Sequence, residues 1–386
     1  MLRVGIFNDS FPPTIDGVAN AAFNYASLIQ KNHGEAIAAT PRYPGVADDY
    51  PFLVYRYPSV PLGKRVGYRA GNPFSPKTIR TLRSFNMDIM HVHSPFASSL
   101  LVNRVNRKGN RAPVILTYHT KFEVDIKNRA PGRAMQNVMK RMVRRNIFSA
   151  DEIWLVSNGA VESLRSFGYE GPYQVMENGC DFKRERAPES AIEKEKSELG
   201  LEQGQLVFLF VGRMMWYKNT KLIIDALEIA GREGLPFKML FVGDGKDRKS
   251  IEQYVTGKGL AGEIEFLGAV YDRVRLHTLF CLADLFLFPS TYDTSGLVVK
   301  EAAAADCPSV LVNGSCAAEG VEDGFSGFLC EENKESLAKT ILAASHSDER
   351  RIQIGHNAGE HVYLSWEKAV AKAYARYEEI LSNWRE

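Results

Sequence analysis

Short apolar runs recur along the chain, each closed by a polar or glycine-bearing turn. Residues 2–7, 36–40, 53–57, 89–93, 114–118, 153–156 and 174–176 form one series, and 206–211, 239–242, 264–267, 285–288, 309–312 and 327–330 a second. Short runs that stay apolar, rather than alternating with polar positions, read as strands buried on both faces. Between them lie stretches with helical spacing. Residues 18–31 carry Ala19, Ala22, Phe23 and Ala26 on one stripe, and the tail, 366–384, carries Ala369, Val370, Ala373 and Tyr377. Strand and helix alternate through both halves, which predicts an α/β protein with two doubly wound parallel sheets. Residues 181–198 are polar, charged and proline-bearing, and mark a boundary. The predicted domains are therefore 1–180 and 181–365, with a terminal helix over 366–386 able to pack back on the first. A chain of 386 residues exceeds what one core usually organises, in keeping with two domains.

The most informative stretch is 285–305, LFLFPSTYDTSGLVVKEAAAA. An apolar strand is broken by Pro289, Ser290 and Thr291, and Gly296 opens a helix-forming segment. In such a layout the backbone N–H groups of Gly296, Leu297 and Val298 point at an anion. Asp293 lies in the loop, and Glu301, eight residues on, lies one or two turns into the helix. One carboxylate can meet hydroxyls at the loop and the other hydroxyls along the helix. A ligand with two sugar-like ends and a phosphate middle, a nucleotide-diphosphate sugar, fits this spacing. So does an ordinary strand–loop–helix turn with a carboxylate near the helix dipole.

Arg213 stands just past strand 206–211, with Lys218 five residues on. They read as a phosphate-binding fork and point charge, or as a surface pair of cations. Residues 8–17, NDSFPPTIDG, make a second strand–loop–helix start, in which Gly17 lets the backbone approach a ligand closely. The G-x-G-x-x-G fingerprint is absent. His119 sits at the carboxyl end of strand 114–118, where ligands bind in open α/β sheets. It can donate to a sugar hydroxyl or departing phosphate, or be a solvated loop histidine. Glu123 and Asp125 follow closely enough to orient it or to meet an acceptor. His91 and His93 read as packed histidines at a strand end, with a metal role as the weaker alternative.

The net charge of +2 conceals an asymmetry: residues 1–180 hold 23 Lys and Arg against 13 Asp and Glu, and residues 181–386 hold 25 against 33. A basic half either meets something anionic, such as nucleic acid, an anionic membrane surface or a phosphorylated substrate, or attracts the acidic half. Residues 132–148 place Met135, Val138, Met139, Met142 and Val143 on one helical face and Lys140, Arg141, Arg144 and Arg145 on the other. That helix is either docked on the core with a solvated basic side or turned toward anionic lipid headgroups. Residues 57–76, with Lys64, Arg65 and Arg69, are expected to form an exposed, mobile loop. Five cysteines without C-x-x-C spacing argue against a zinc site and a disulfide framework, and fit reducing cytosol. No signal peptide and no spanning-length apolar stretch are seen, so the expected location is cytoplasmic with any membrane contact peripheral. A nucleic-acid-binding role is disfavoured, since the basic helix lacks interleaved aromatics and the second domain's anion site would stay unexplained.

Taken together, the FNDSFPPTIDGV loop, TYHT, the ENGCD turn, VGRMMWYKN, VGDG and PSTYDTSGLVVKEAAA give the chain, over nearly its whole length, a form that resembles the retaining glycosyltransferases of family 4. The resemblance implies the GT-B fold, two Rossmann-like domains facing across a cleft, and a nucleotide-sugar donor. It implies that Glu301 binds the nucleotide ribose and that Asp293, in the place of the family's first Glu, meets the donor sugar. It implies that Arg213, Lys218, Gly17 and the backbone of Gly296, Leu297 and Val298 hold the diphosphate. His119 matches the histidine near the sugar C6 and the reacting centre. No metal and no cofactor are implied. The first domain looks most like bacterial diacylglycerol α-glucosyltransferases, which implies UDP-glucose as donor and a membrane lipid acceptor, with a soluble acceptor or polysaccharide precursor as the alternative.

Overall fold

In the computed structural model two parallel sheets carry the chain, and residues 1–14, 16–62, 69–107, 111–129 and 132–385 are described. Lys64, Arg65 and the Asp125 side chain, singled out in the sequence, lie outside the described residues. The first unit comprises Met1–Asn178 with Trp366–Glu386, the second Gly179–Ser365.

In the first unit the sheet strands are β1 (Arg3–Phe7), β2 (Glu35–Pro41), β3 (Leu53–Tyr57), β6 (Ile89–Val92), β7 (Val114–Tyr118), β8 (Glu152–Leu155) and β9 (Gln174–Val175); between β3 and β6 come β4 (Ser59–Pro61) and β5 (Arg69–Gly71). The seven-stranded order is β3-β2-β1-β6-β7-β8-β9, with all pairs parallel. The short strands β4 and β5 pair antiparallel, so part of the stretch expected to be an open loop is a hairpin. Arg69 closes it by donating from Nε and Nη2 to Ser59 at 2.9 and 3.0 Å. That is a local side-chain bond which hydrophobic patterning does not register.

The terminal helix Trp366–Arg385 packs within this first unit, against helix Gly17–Asn32. Tyr374 Oη accepts from Leu2 N at 3.1 Å, and Arg376 grips Glu152 through Nε and Nη2 at 3.0 and 2.7 Å. Trp154 and Tyr377, both fully buried, stack at 5.3 Å.

The second sheet is built from β10 (Leu206–Val211), β11 (Phe237–Val242), β12 (Ile264–Gly268), β13 (Leu285–Leu287), β14 (Ser309–Val312) and β15 (Phe328–Cys330), in the order β12-β11-β10-β13-β14-β15, again all parallel. The chain leaves β10 toward β11 and leaves β13 toward β14. The loops after these two neighbouring strands therefore diverge, which opens a crevice at the carboxyl edge. Fully apolar strands explain the core here: Phe208, Phe210, Phe241, Phe286 and Phe288 are buried, each worth about 1.5–3 kcal/mol on folding. The charged stretch 181–198 is not simply a linker. Glu189–Glu198 is a helix whose Glu195 receives Arg275 from Nε and Nη2 at 2.9 and 2.6 Å.

The loop after β10 is held by the GDG turn after β11. Gly212 N donates to Val242 O at 2.9 Å, and Met214 N to Asp244 O at 3.1 Å. Gly243 has φ +134°, and a Cβ there would lie 1.9 Å from the Gly212 carbonyl oxygen. Gly243→Ala is therefore expected to destabilise the second unit by about 2–4 kcal/mol. Gly257→Ala, which meets nothing within 4 Å, should leave the calorimetric transition almost unmoved.

Candidate functional site

The crevice of the second sheet gathers most of the predicted residues. The loop after β10 carries Arg213 and leads into a helical turn, Trp216–Lys218. The loop after β13 carries Asp293 and leads to helix Leu297–Ala304. Lys218 Nζ donates to Asp293 Oδ1 in a short ion pair that joins the two loops. Asn219 makes a second link, donating from Nδ2 to Pro289 O at 2.8 Å and to Glu332 Oε1 at 2.7 Å.

Lys218 is not a surface cation. It is buried, and its Nζ stands 5.8–5.9 Å from the ring centroids of Tyr217, Phe288 and Tyr292. Burial lowers its pKa, Asp293 pulls it back up, and the nearby charge of Arg213 lowers it again. The Arg213 charge is thus close enough to be felt. Asp293 keeps one oxygen uncommitted: Oδ2 is buried and has no hydrogen-bond donor among the described residues. A buried carboxylate oxygen in that state is a ready acceptor for a ligand hydroxyl.

Gly296 begins the helix in the left-handed region, φ 51°, with no side-chain cap. An added Cβ would come within 3.0 Å of Ala317 Cα. With no capping side chain, the N–H groups at the start of Leu297–Ala304 are the intrinsic anion-binding donors of a helix end. Glu301 lies one turn along and donates nothing; its Oε1 accepts from Arg273 Nη2 at 2.7 Å. Burial raises the Glu301 pKa, while Arg273 lowers it and Asp181 raises it further. Arg273 lies over the Phe182 ring at 4.2 Å and 3.8 Å from Asp181. Sequence reasoning missed Arg273, which carries no motif of its own. The ENGCD turn, ending at Asp181, was the available signal.

Gly17 and His119 belong to the first unit. Gly17 is exposed at the first turn of its helix. The donors expected to receive an anion there are partly occupied, because Asp16 Oδ1 accepts from Val18 N and Ala19 N at 2.9 and 2.7 Å. His119, at the end of β7, is buried rather than a solvated loop histidine. Its Nε2 lies 2.9 Å from His93 Nδ1. His91 is bonded to Tyr377 Oη and Thr117 Oγ1, each at 2.6 Å. The two strand histidines are thus packed partners. Among the described residues, no cluster of three His, Cys, Asp or Glu side chains could hold a metal ion. Glu123 does not reach His119; it accepts from Ser163 and, at 3.5 Å, from Tyr118. Asp9, unremarked in sequence, spans the switch between β1 and β6 by accepting from Ser94 Oγ at 2.5 Å and Ser98 N at 2.9 Å.

Two Rossmann-like units with parallel sheets define a GT-B protein. Residues 15–184 match the family described as Glycosyltransferase Family 4, and residues 191–361 match Glycosyl transferases group 1. The chain belongs to this glycosyltransferase family. It is 24% identical over 351 residues to the alpha-monoglucosyldiacylglycerol synthase of Streptococcus pneumoniae, covering 89% of this chain and 78% of that protein. To the enzyme of the same name from Acholeplasma laidlawii it is 23% identical over 368 residues, covering 92% of each. The crystal structure of Anabaena HepE in complex with UDP-glucose shares the fold, with a TM-score of 0.74, 20% identity and coverage of 99% and 100%.

The buried histidines make a stability prediction. Burial holds the pKa values of His91 and His93 well below the ordinary histidine value, and that of His119 down to about 3. Histidines kept neutral in the fold but protonated on unfolding contribute stability that is complete above about pH 6.5 and is lost as pH falls. Calorimetry from pH 7 to 4 should show the first unit's melting temperature dropping, with a shallower slope in His93→Gln.

Proposed function

We propose that this glycosyltransferase is a retaining, metal-independent hexosyltransferase that moves an α-glucosyl group from UDP-glucose to a membrane lipid acceptor such as diacylglycerol. The observation that carries the donor half is the uncommitted, buried Oδ2 of Asp293, set beside Lys218 and one turn before an uncapped helix start. In this reading Asp293 accepts from hydroxyls of the donor sugar. Arg213, Lys218 and the N–H groups of Gly296, Leu297 and Val298 hold the diphosphate and stabilise the charge it gains on departure. Glu301 accepts from the ribose, with Arg273 opposing the burial that would otherwise favour its protonated form. Gly17 closes on the diphosphate, and His119 meets the sugar as a neutral imidazole. The leaving phosphate takes the acceptor proton from the same face, so no separate base is required. The relatives named for monoglucosyldiacylglycerol synthesis support the choice of lipid.

The acceptor half rests on helix Gly132–Ile147. Only its last turns are docked: Val143 and Ile147 are fully buried, whereas Met135 and Val138 are 47% and 60% exposed. Lys140, Arg141, Arg144 and Arg145 are also exposed. An exposed apolar edge beside a cationic one suits a helix lying in a headgroup layer. Among the described residues, no helix is long and apolar enough to cross a membrane, so peripheral attachment is the mode proposed.

A panel of sugar nucleotides is expected to raise the melting temperature most with UDP-glucose, since a ligand bound only by the folded form stabilises it. Glu301→Gln should cut kcat/KM by about 10- to 100-fold, the loss of one hydrogen bond to a charged group. An unshifted melting curve across the panel, or unchanged turnover in that variant, would overturn the donor assignment. Met135→Ser with Val138→Ser should reduce binding to phosphatidylglycerol-containing vesicles by about 10-fold or more. Retained vesicle binding in that variant would count against this helix as the docking surface, and failure of the wild type to bind the vesicles at moderate salt would instead favour the soluble-acceptor reading.

A further inference from the structure

A second positively charged concavity lies in the first unit, away from the residues discussed above. Helices Pro76–Ser84 and Ala97–Val105 pack side by side. Between them is a cleft of about 400 Å³ lined by Pro76, Ile79, Arg80, Arg83, Arg104 and Arg107. Four of its six lining residues are arginine. None of the four forms a salt bridge with a carboxylate among the described residues.

The arginines differ in how they are held. Arg83 bridges the two helices, donating from Nε to Val105 O at 2.9 Å and from Nη2 to Arg104 O at 2.6 Å. It therefore caps the carbonyl end of the neighbouring helix and has a structural reason to be there. Arg104 lies over the exposed ring of Phe74 at 4.2 Å, which fixes the plane of its guanidinium. Arg80 makes only a long bond, 3.4 Å, to Pro76 O of its own helix. Arg80 and Arg107 are exposed. Like charges gathered in this way repel, and nothing in the fold requires Arg80, Arg104 and Arg107 to be cationic.

The cleft also lies at the wrong edge of the sheet to serve the donor chemistry. Helix Pro76–Ser84 ends at Phe85, whose carbonyl accepts from Arg3 Nη1 at 2.7 Å, and Arg3 is the first residue of β1. Helix Ala97–Val105 ends beside Asn106, which bonds Ala112 just before β7. Arg83, Arg104 and Arg107 thus sit at the amino edge of the strands, whereas His119 follows the carboxyl end of β7.

We propose that this cleft is a binding site for a phosphate-bearing anion, distinct from the donor site. Guanidinium forks match phosphate oxygens in geometry, and the three that do not join the two helices, those of Arg80, Arg104 and Arg107, suit a group carrying more than one negative charge. The volume admits a headgroup or a short polyphosphate. The two sources, a phospholipid headgroup and a free phosphate compound, share this chemistry.

The test uses the full chain and the variant Arg80→Gln, Arg104→Gln, Arg107→Gln. Arg83 is left in place because it joins the helices, and glutamine preserves helix propensity. Sodium tripolyphosphate is titrated calorimetrically into the wild type, into this variant and into Arg213→Gln, which weakens the other anion site. Sedimentation with phosphatidylcholine vesicles containing a minority of phosphatidylglycerol is run in parallel at fixed salt. The triple variant is expected to lose one tripolyphosphate-binding event that Arg213→Gln retains, or about 100-fold in vesicle partition, at roughly one kcal/mol per cation near an anionic surface. Loss of the first alone identifies a soluble anion, and loss of the second alone a lipid headgroup. Met135→Ser with Val138→Ser serves as the control, since its failure to release vesicles bears on the membrane helix and not on this cleft. The proposal is overturned if the triple variant, with an unchanged melting temperature, binds tripolyphosphate and vesicles as the wild type does.

Discussion

The salt bridge of Lys218 with Asp293 fixes the second unit's functional edge. The sheet order sends the loops after β10 and β13 in opposite directions, and an open crevice is the result. Without a link across it, the cation-bearing loop and the acid-bearing loop would be positioned independently. The ion pair supplies one such link, beside that of Asn219, with side chains only 8% and 24% exposed. Such a pair is costly to desolvate, and removing either partner from a buried pair costs about 3–5 kcal/mol because the other charge is stranded. Aromatic rings around Lys218 partly offset that cost by offering their π-faces to the ammonium. The arrangement also leaves Asp293 half-satisfied, so the residue that ties the loops together still has an oxygen to offer.

Support for this edge comes from backbone packing against the turn after the adjacent strand, β11. The loop bearing Arg213 lies on the GDG turn so closely that any side chain at Gly243 would overlap the carbonyl of Gly212. Glycine at that position is thus a requirement of the placement of the loop that bears Arg213, imposed by a neighbour from another strand. The same logic applies at Gly296, where the left-handed entry and the nearness of Ala317 leave the helix start bare of a capping side chain. Contrast the first unit, where Asp16 caps helix Gly17–Asn32 and takes up two of its free N–H groups. Two strand–loop–helix starts that look alike as patterns differ in how many donors they leave for a ligand.

Much of this was legible in the chain. Strands such as LVFLFV, 206–211, are apolar at every position because helices cover both faces of a parallel sheet, so their existence and type follow from pattern alone. Glu301 could be set about one turn into its helix because helix geometry converts spacing into position, and Asp293 in the loop because Pro289, Ser290 and Thr291 break the strand before it. What could not be read were contacts between residues far apart in sequence. Arg273 meets Glu301 across 28 positions, and His93 meets His119 across 26, with no local signal in either case. The hairpin of β4 and β5 hinges on Arg69 bonding Ser59, and helix Glu189–Glu198 on Glu195 receiving Arg275. In each case a polar side chain finds a tertiary partner, and composition reads the same residues as loop or linker.

Residues 181–386 carry more Asp and Glu than Lys and Arg, yet the crevice places Lys218 and Arg213 at its carboxyl edge. An acidic body repels anions in general, so these cations and the helix N–H groups stand as a short-range exception to the field around them. The first unit is the reverse: its cations lie outward, on helix Gly132–Ile147 and around the cleft of Arg80 and Arg104. Exposed charges act over about a Debye length, roughly 8–10 Å in physiological salt. Their field therefore reaches beyond the surface of the first unit, whereas the charge of the buried Lys218 is spent largely on Asp293. Salt should screen the exposed cations of the first unit strongly and the buried Lys218–Asp293 pair much less.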